Sequence, residues 1–253
     1  MSAGAFARYA RYYDLLYRDK DYAGEARWVD DALVGDRRTR GALLDVGCGT
    51  GVHAREFRRL GWAVAGVDAS ADMIGLARER TPPEMGIRFT VGRAAEFDLG
   101  RRFSAIVSLF HVASYHTTDA EVTGMLANVR RHLDPGGRFL FDFWHGPGVL
   151  ADPPVRRERR MADDVIRVHR VATPRHDPAR RIIEVNYDVA IEPVAGGTPE
   201  RIQEVHRMRY FSVPELGPLL ERAGLRMERT QAGLASVGLD ARAWYGLIVA
   251  TAV

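Results

Sequence analysis

The sequence is short of several things, and each shortage excludes a class of protein. Cys48 is the only cysteine in 253 residues, so no intramolecular disulfide can form and a reducing compartment is expected. No apolar run is long enough to span a bilayer, and the start of the chain has no apolar core of the secretory kind. A cytoplasmic protein without membrane contact is therefore expected. Charge of one sign is not in large excess: the net charge is +3. Lys20 is the only lysine, so the positive charge is almost all arginine. The densest basic run is Arg156, Arg157, Arg159 and Arg160, broken by Glu158. It reads either as a solvated surface or as a rim that attracts anions. Nucleic-acid binding would call for a longer basic stripe with interleaved aromatics, and none is expected. The histidines lack metal-site spacing and the one cysteine sits among glycines, so no metal is expected.

What is present is a regular alternation. Short apolar runs at residues 43–46, 63–67, 87–91, 103–110 and 138–144 read as strands. Helical patterns at 52–60, 70–80 and 119–133 separate them. Such spacing predicts βαβ units and a parallel sheet covered by helices on both faces. Residues 3–33 are helical in pattern and rich in tyrosine, and a polar break follows at 35–38. After Trp144 the sequence turns loop-like through residues 145–155. Three alternating stretches follow, at 165–173, 182–191 and 202–211, with turn signals at 174–178 and 196–199. They predict a small antiparallel β insertion. A helix from Pro214 and strands at 225–230 and 244–251 close the chain. The expected organisation is a helical lid over 1–34, a core over 35–145 and 212–253, and an insertion over 146–211 lining the substrate site.

The most informative stretch is Leu43-Leu44-Asp45-Val46-Gly47-Cys48-Gly49-Thr50-Gly51. It joins a buried strand to a helix. Gly47, Gly49 and Gly51 remove Cβ atoms where the backbone turns and meets a ligand. The spacing is G-x-G-x-G, neither the G-x-G-x-x-G of dinucleotide folds nor a P-loop. Asp68 ends the second strand, where a carboxylate can accept both hydroxyls of a ribose; the alternative is a helix cap, a role Ser70 can also fill.

These residues resemble motifs I and II of the class I S-adenosylmethionine (SAM)-dependent methyltransferases, and the resemblance runs over residues 43–144. It implies a Rossmann-like, doubly wound α/β fold with a seven-stranded, mostly parallel sheet. It also implies SAM as the cofactor, with the Gly47–Gly51 loop beneath its methionine and ribose. Asp45 would orient that loop and Asp68 would hold the ribose. Ala69 or Met73 would lie against the adenine, Met73 being equally readable as helix core. Many members carry Gly-Asp after the third strand; here Gly92-Arg93-Ala94-Ala95-Glu96 stands there. That leaves the backbone of Ala94 and Ala95, or Glu96, for the adenine edge. Leu109 and Phe110 would face the methionine ammonium.

A narrower resemblance is carried by Tyr12-Tyr13-Asp14 through Asp21-Tyr22, by Phe141-Asp142-Phe143-Trp144 and by Glu204 to Phe211. It is similar to N-methyltransferases of amino-deoxysugar nucleotides and of antibiotic-pathway amines. By it, Tyr13 and Tyr17 would close over SAM, and Tyr17, Trp144, His206 and Arg209 would meet the acceptor. The substrate would be a small molecule, nucleotide-linked sugars included, with a homodimer among the expected assemblies. His111, Tyr115 and His116 cluster after the fourth strand and are the catalytic candidates, Tyr115 first. An O-methyltransferase of a sugar or polyketide hydroxyl, a non-catalytic SAM-binding module and a nicotinamide-dependent oxidoreductase remain as alternatives.

Overall fold

The computed structural model describes residues 12, 13, 15–35, 40–234 and 238–253, which form two compact units. The larger comprises Asp21–Asp152 and Arg209–Val253. The smaller comprises the described residues up to Lys20 together with Pro153–Met208. Part of the expected N-terminal helix, residues 3–11 and 14, lies outside the described residues, as do 36–39 of the expected polar break. The expected boundaries shift accordingly. Helix α1 (Tyr22–Val34) belongs to the larger unit, and Asp21 caps it by accepting the Gly24 N–H at 2.8 Å.

In the larger unit, strands β1 (Ala42–Val46), β2 (Ala63–Asp68), β3 (Arg88–Val91), β4 (Phe103–Ser108) and β5 (Leu133–His145) lie parallel in the order β3-β2-β1-β4-β5. The central strands are apolar along their length because both faces are covered. One face packs Leu44, Val46, Ile106, Phe139 and Phe141 against Met125 and Leu126. The other packs Leu43, Val107 and Leu140 against Val29, Phe57 and Trp62. Each such side chain stabilises the fold by about 1.5–3 kcal/mol through burial.

Helices α2 (Val52–Arg59), α3 (Ala71–Glu79) and α4 (Asp119–His132) form the crossovers and the lead into β5. Ser70 caps α3 by accepting from Met73 N, and Thr118 with Glu121 makes a reciprocal capping box at the start of α4. The Asp-Pro-Gly-Gly stretch at residues 134–137 lies within β5: Leu133 pairs with Phe103, and pairing resumes at Arg138 after a bulge. A short helix α5 (Gly146–Ala151) replaces the start of the expected loop, with Pro147 in its first turn where no N–H is required.

The smaller unit contains strands β6 (Arg157–Ala162), β7 (Ile166–Asp177), β8 (Ile182–Pro193) and the first part of β9 (Glu200–Phe211), in the order β9-β8-β7-β6. Two sequence readings change here. The arginine run forms the edge strand β6, which sequence patterning missed because its residues do not alternate in polarity. Charged residues on an exposed edge discourage pairing with other chains. The turn expected at 174–178 lies later: Pro174 stands opposite Val185 within the β7–β8 ladder, and Arg181 N bonds back to Pro178 O at 3.3 Å. Ile166, Val168, Val189 and Ile191 form one apolar face, packed with Tyr12, Leu15 and Leu16.

The last residues of β9 return to the larger unit, where Tyr210 and Phe211 pair with Trp144 and His145. Helix α6 (Val213–Arg222) starts at a Ser212–Glu215 capping box. Strands β10 (Leu225–Ala232) and β11 (Tyr245–Ala252) form a hairpin that docks antiparallel on β5 through β11. Among the described residues no helix is long and apolar enough to cross a membrane.

Candidate active site

The parallel strands end together, and the loops leaving their C-terminal ends carry most of the predicted site residues. After β1 the chain turns sharply. Gly47, Gly49 and Gly51 all have positive φ, at 78°, 52° and 74°, a region L side chains rarely adopt. Gly47 N and Cys48 N both donate to Val67 O, at 2.7 and 3.0 Å, which ties the loop to β2. A Cβ on Gly47 would stand 2.3 Å from Val112, and one on Gly51 would stand 2.8 Å from Phe89. These two glycines are therefore required by packing as well as by the turn. Val112 and Phe89 thus add a packing reason to the turn and the ligand approach expected from the sequence.

Asp68, at the tip of β2, accepts from Gly49 N at 2.9 Å through Oδ2 and from Ser70 N at 2.8 Å through Oδ1. One carboxylate thus joins the glycine loop to the start of α3. Ser70 caps α3 itself, so Asp68 is not its capping side chain. A carboxylate offers about four acceptor directions, so two bonds leave it capacity for hydroxyl donors. Ala69 is exposed and Met73 half-buried beside it. The buried residues of α3 are Ile74, Leu76 and Ala77, so Met73 is outside the helix core.

Asp45, inside β1, is 2% exposed, and its Oδ2 has no hydrogen-bond partner among the described residues. Burial pushes its carboxyl up to about 7; His53 opposes that rise and Asp68 adds to it. An uncompensated buried carboxylate is costly, and this one awaits a cation or a donor. His53, in the first turn of α2, sits 2.9 Å from Glu25 of α1 and edge-on to Tyr22. Neither residue was singled out in the sequence. A histidine directly after the glycine loop is the signal that could have found them.

After β3, Arg93 and Glu96 form an exposed ion pair at 3.3 Å. Ala94 O accepts from Asn128 of α4 at 3.0 Å, and Ala95 lies where a Cβ on Gly124 would meet it at 3.1 Å. Both alanines are thus held by α4, with the loop backbone fixed.

The loop after β4 is the most strained part of the site. Leu109 is buried, and Phe110 and His111 both adopt positive φ, 69° and 64°. Asp142 of β5 accepts from Phe110 N at 3.2 Å and from His111 N at 2.7 Å. The His111 Nδ1 lies 3.2 Å from Asp142 Oδ2, close enough to pair but off the hydrogen-bond line. Burial opposes ionisation of Asp142, yet His111 and these two N–H donors outweigh it and hold the carboxyl below its usual range. The imidazole stacks on Tyr245, with ring centres 4.2 Å apart and planes 13° apart. Tyr245 also meets Trp244 edge-on, and Trp244 meets Trp144 in the same way.

Tyr115 ends the short 3-10 turn Val112–Tyr115 and is 47% exposed. His116 follows; its Nε2 is buried without a hydrogen-bond partner, and burial lowers its pKa. Asp142, Tyr245 and Trp244 were missed in the sequence. The one charge inside the apolar run Arg138–Trp144 was the available signal for the first.

Arg209 was expected to meet the acceptor. It is 3% exposed, and its Nη2 donates to Asp119 at 2.6 Å and Glu215 at 2.5 Å while the guanidinium lies over Phe211. It is a strut between the starts of α4 and α6, because a buried guanidinium spends its donors on the nearest carboxylates. Trp144 is half-buried, and its backbone N donates to Ser114 Oγ at 2.9 Å. The remaining predicted residues lie in the smaller unit. The rings of Tyr13 and Tyr17 meet at 4.8 Å with planes tilted by 59°, burial raises the pKa of Tyr17, and His206 pairs with Glu204 at 3.3 Å and stands edge-on to Tyr187. Among the described residues no cluster of three metal-ligating side chains occurs.

The residues fit a sulfonium nucleoside with an amino-acid tail: a loop in which every second residue is glycine, a carboxylate at the strand tip beside it, and an orphaned buried carboxylate oxygen for an ammonium. Comparison with known proteins points the same way. Residues 43–137 match the family model described as a methyltransferase domain. The chain is 36% identical over 236 residues to the dTDP-3-amino-3,4,6-trideoxy-alpha-D-glucopyranose N,N-dimethyltransferase of Streptomyces venezuelae, covering 91% of this chain and 95% of the relative. It is 33% identical to the dTDP-3-amino-3,6-dideoxy-alpha-D-glucopyranose N,N-dimethyltransferase of Streptomyces fradiae, covering 91% and 88%. Among solved structures, Streptomyces venezuelae DesVI superposes with a TM-score of 0.82 at 30% identity, covering 97% of this chain and 98% of that one.

Proposed function

We infer that this chain, which belongs to the SAM-dependent methyltransferases, methylates the amine nitrogen of a nucleotide-linked amino-deoxysugar. The observation that carries the cofactor half is the buried Asp45 oxygen without a partner, beside a glycine loop joined to Asp68. The acceptor half is supported by relatives named as amino-sugar N,N-dimethyltransferases, matched over nearly their whole lengths.

When bound, SAM supplies a methyl group already activated by a sulfonium leaving group. The chain then has to bind, align, exclude water and keep the acceptor nitrogen unprotonated. Asp45 and the main chain at Leu109 and Phe110 are assigned to the methionine ammonium. Gly47, Gly49 and Gly51 form the floor, and Asp68 takes the ribose hydroxyls. Ala69, Met73, Ala94 and Ala95 border the base. On the acceptor side, the amine must give up a proton, since a protonated nitrogen has no lone pair with which to attack. His111, His116 and Tyr115 follow β4 within seven residues of one another. Burial lowers the pKa of His116 and so favours its neutral form, and its Nε2, without a hydrogen-bond partner among the described residues, is assigned to the acceptor. Trp144 supplies an apolar wall.

The test is direct. Purified protein is incubated with SAM and either a dTDP-linked amino-deoxysugar or its hydroxyl counterpart, and products are read by mass spectrometry. Methylation of the amine alone supports the assignment. Methylation of the hydroxyl alone would replace it with O-methyl transfer, and SAM binding with neither product would leave a binding module.

A further inference from the structure

We propose that Asp142 is the positioning residue of the acceptor edge: its carboxylate clamps the loop after β4 in a left-handed turn and fixes the His111 imidazole against Tyr245. This rests on the methyl-transfer reading above and adds to it a residue that does not itself touch cofactor or acceptor.

The argument begins with strain. Phe110 and His111 are consecutive, neither is glycine, and both have positive φ. Such a conformation persists only where its surroundings over-determine it, and it gathers at functional sites. The surroundings here are one side chain. Two successive N–H groups converge as a backbone nest, and Asp142 fills it with one oxygen on each: Oδ1 on His111 N, Oδ2 on Phe110 N. Oδ2 also lies 3.2 Å from His111 Nδ1. The turn is closed from its far side by Ser114 N donating to His111 O at 2.9 Å, and Ser114 Oγ accepts from Trp144 N at 2.9 Å.

The clamp stands on rigid ground. Asp142 is on β5, bordered by β4 on one side and opposite Leu247 of β11 on the other. It is 8% exposed. An apolar side chain there would serve the sheet and its neighbour Leu140 as well. A carboxylate in that position makes sense through its partners, and every one of them is on the β4 loop. The imidazole also lies near-parallel to two rings, Tyr245 at 4.2 Å and Phe110 at 5.9 Å, with planes within 15° of parallel. Ring position and ring plane are held by these neighbours, Nδ1 lies beside the Asp142 carboxylate, and Nε2 is the nitrogen that Asp142 does not face.

Five variants test this by steady-state kinetics and SAM titration: Asp142→Asn, His111→Ala, the double variant, and Tyr245→Ala with Tyr245→Phe as its conservative rescue. Misplacing a reacting group by about 1 Å costs up to about 100-fold in rate. Asp142→Asn is therefore expected to lower kcat by about tenfold to about 100-fold and, because Asp142 also holds Phe110 N, to weaken SAM binding by clearly less than that. The double variant is expected to be no slower than His111→Ala alone, because residues acting as a unit are not additive. Tyr245→Ala loses kcat and Tyr245→Phe recovers most of it. Full activity in Asp142→Asn, a double variant whose losses multiply, or SAM affinity falling in step with kcat overturns the proposal. Should Asp142→Asn fail to fold, the Tyr245 pair decides, since that ring is 43% exposed: equal activity in both variants overturns it. Wild type is assayed first. No methyl transfer by wild type sinks the function itself, whereas active wild type with indifferent variants sinks only the clamp.

Discussion

Gly49 donates its backbone N–H to Asp68 across nineteen residues of sequence, at 2.9 Å. That bond makes the glycine loop and the tip of β2 a single structure, so the proposed ribose ligand also holds the floor beneath the ligand. Replacing Asp68 therefore acts twice. Asp68→Ala is expected to lower stability by about 1.5–3 kcal/mol, the scale of a hydrogen bond to a charged acceptor. It is also expected to weaken SAM binding by at least about tenfold, or about 1.4 kcal/mol. Urea unfolding and calorimetric titration separate the two effects.

Asp45 gives the protein a pH signature. Its carboxyl is pushed up to about 7 by burial, against about 3.9 when unfolded. Between those values the folded chain binds more protons than the unfolded one. The contribution to stability is fully present below about pH 4 and is lost as pH rises through about 7. Unfolding of the free protein across this range is expected to show that slope, and Asp45→Asn is expected to remove it. Binding an ammonium requires the ionised form, so SAM affinity is expected to rise as pH climbs through about 7 and then to level. Calorimetry in buffers of different ionisation enthalpy reads the released proton.

Gly51 is held at a φ of 74° with Phe89 and Ala77 where its Cβ would go. Gly51→Ala combines backbone strain with overpacking, and a loss of about 2–4 kcal/mol is expected. Gly86 provides the control. Its φ is 63° but nothing lies within 4 Å, so Gly86→Ala is expected to cost only about 1 kcal/mol. Equal losses in thermal unfolding would show that packing at Gly51 is irrelevant.

Arg209 separates a strut from a substrate contact. Removing one partner of a buried pair typically costs about 3–5 kcal/mol. Arg209→Met keeps the packing on Phe211 and is expected to lose stability of that order, with the KM for the acceptor little changed in whatever remains folded. A large KM effect with normal stability would restore the reading of Arg209 as an acceptor contact.

How far the sequence alone could see follows a physical line. Local signals worked. The apolar run at residues 43–46 and the Ser70 cap define β1 and the start of α3 because each depends on its own neighbours. Spacing separated G-x-G-x-G from nucleotide loops for the same reason. What failed needed a partner far along the chain. The arginine run could not be read as β6, since an edge strand is defined by the β7 ladder beside it. The ion pair of Arg209 with Asp119, ninety residues earlier, was illegible for the same reason. The Asp142–His111 arrangement joins residues 31 apart, and the left-handed turn it holds leaves no mark in composition. Gly47 was recognised as special, but Val112 as one cause of its bareness became visible only in three dimensions.

The account turns on transfer of a methyl group to nitrogen. Incubating the intact chain with methyl-labelled SAM and a dTDP-linked amino-deoxysugar, then locating the label by mass spectrometry, tests it most directly. Label on the amine nitrogen, as one or two methyl groups, is the predicted result. Cofactor bound by the protein with the amine left unlabelled would contradict it.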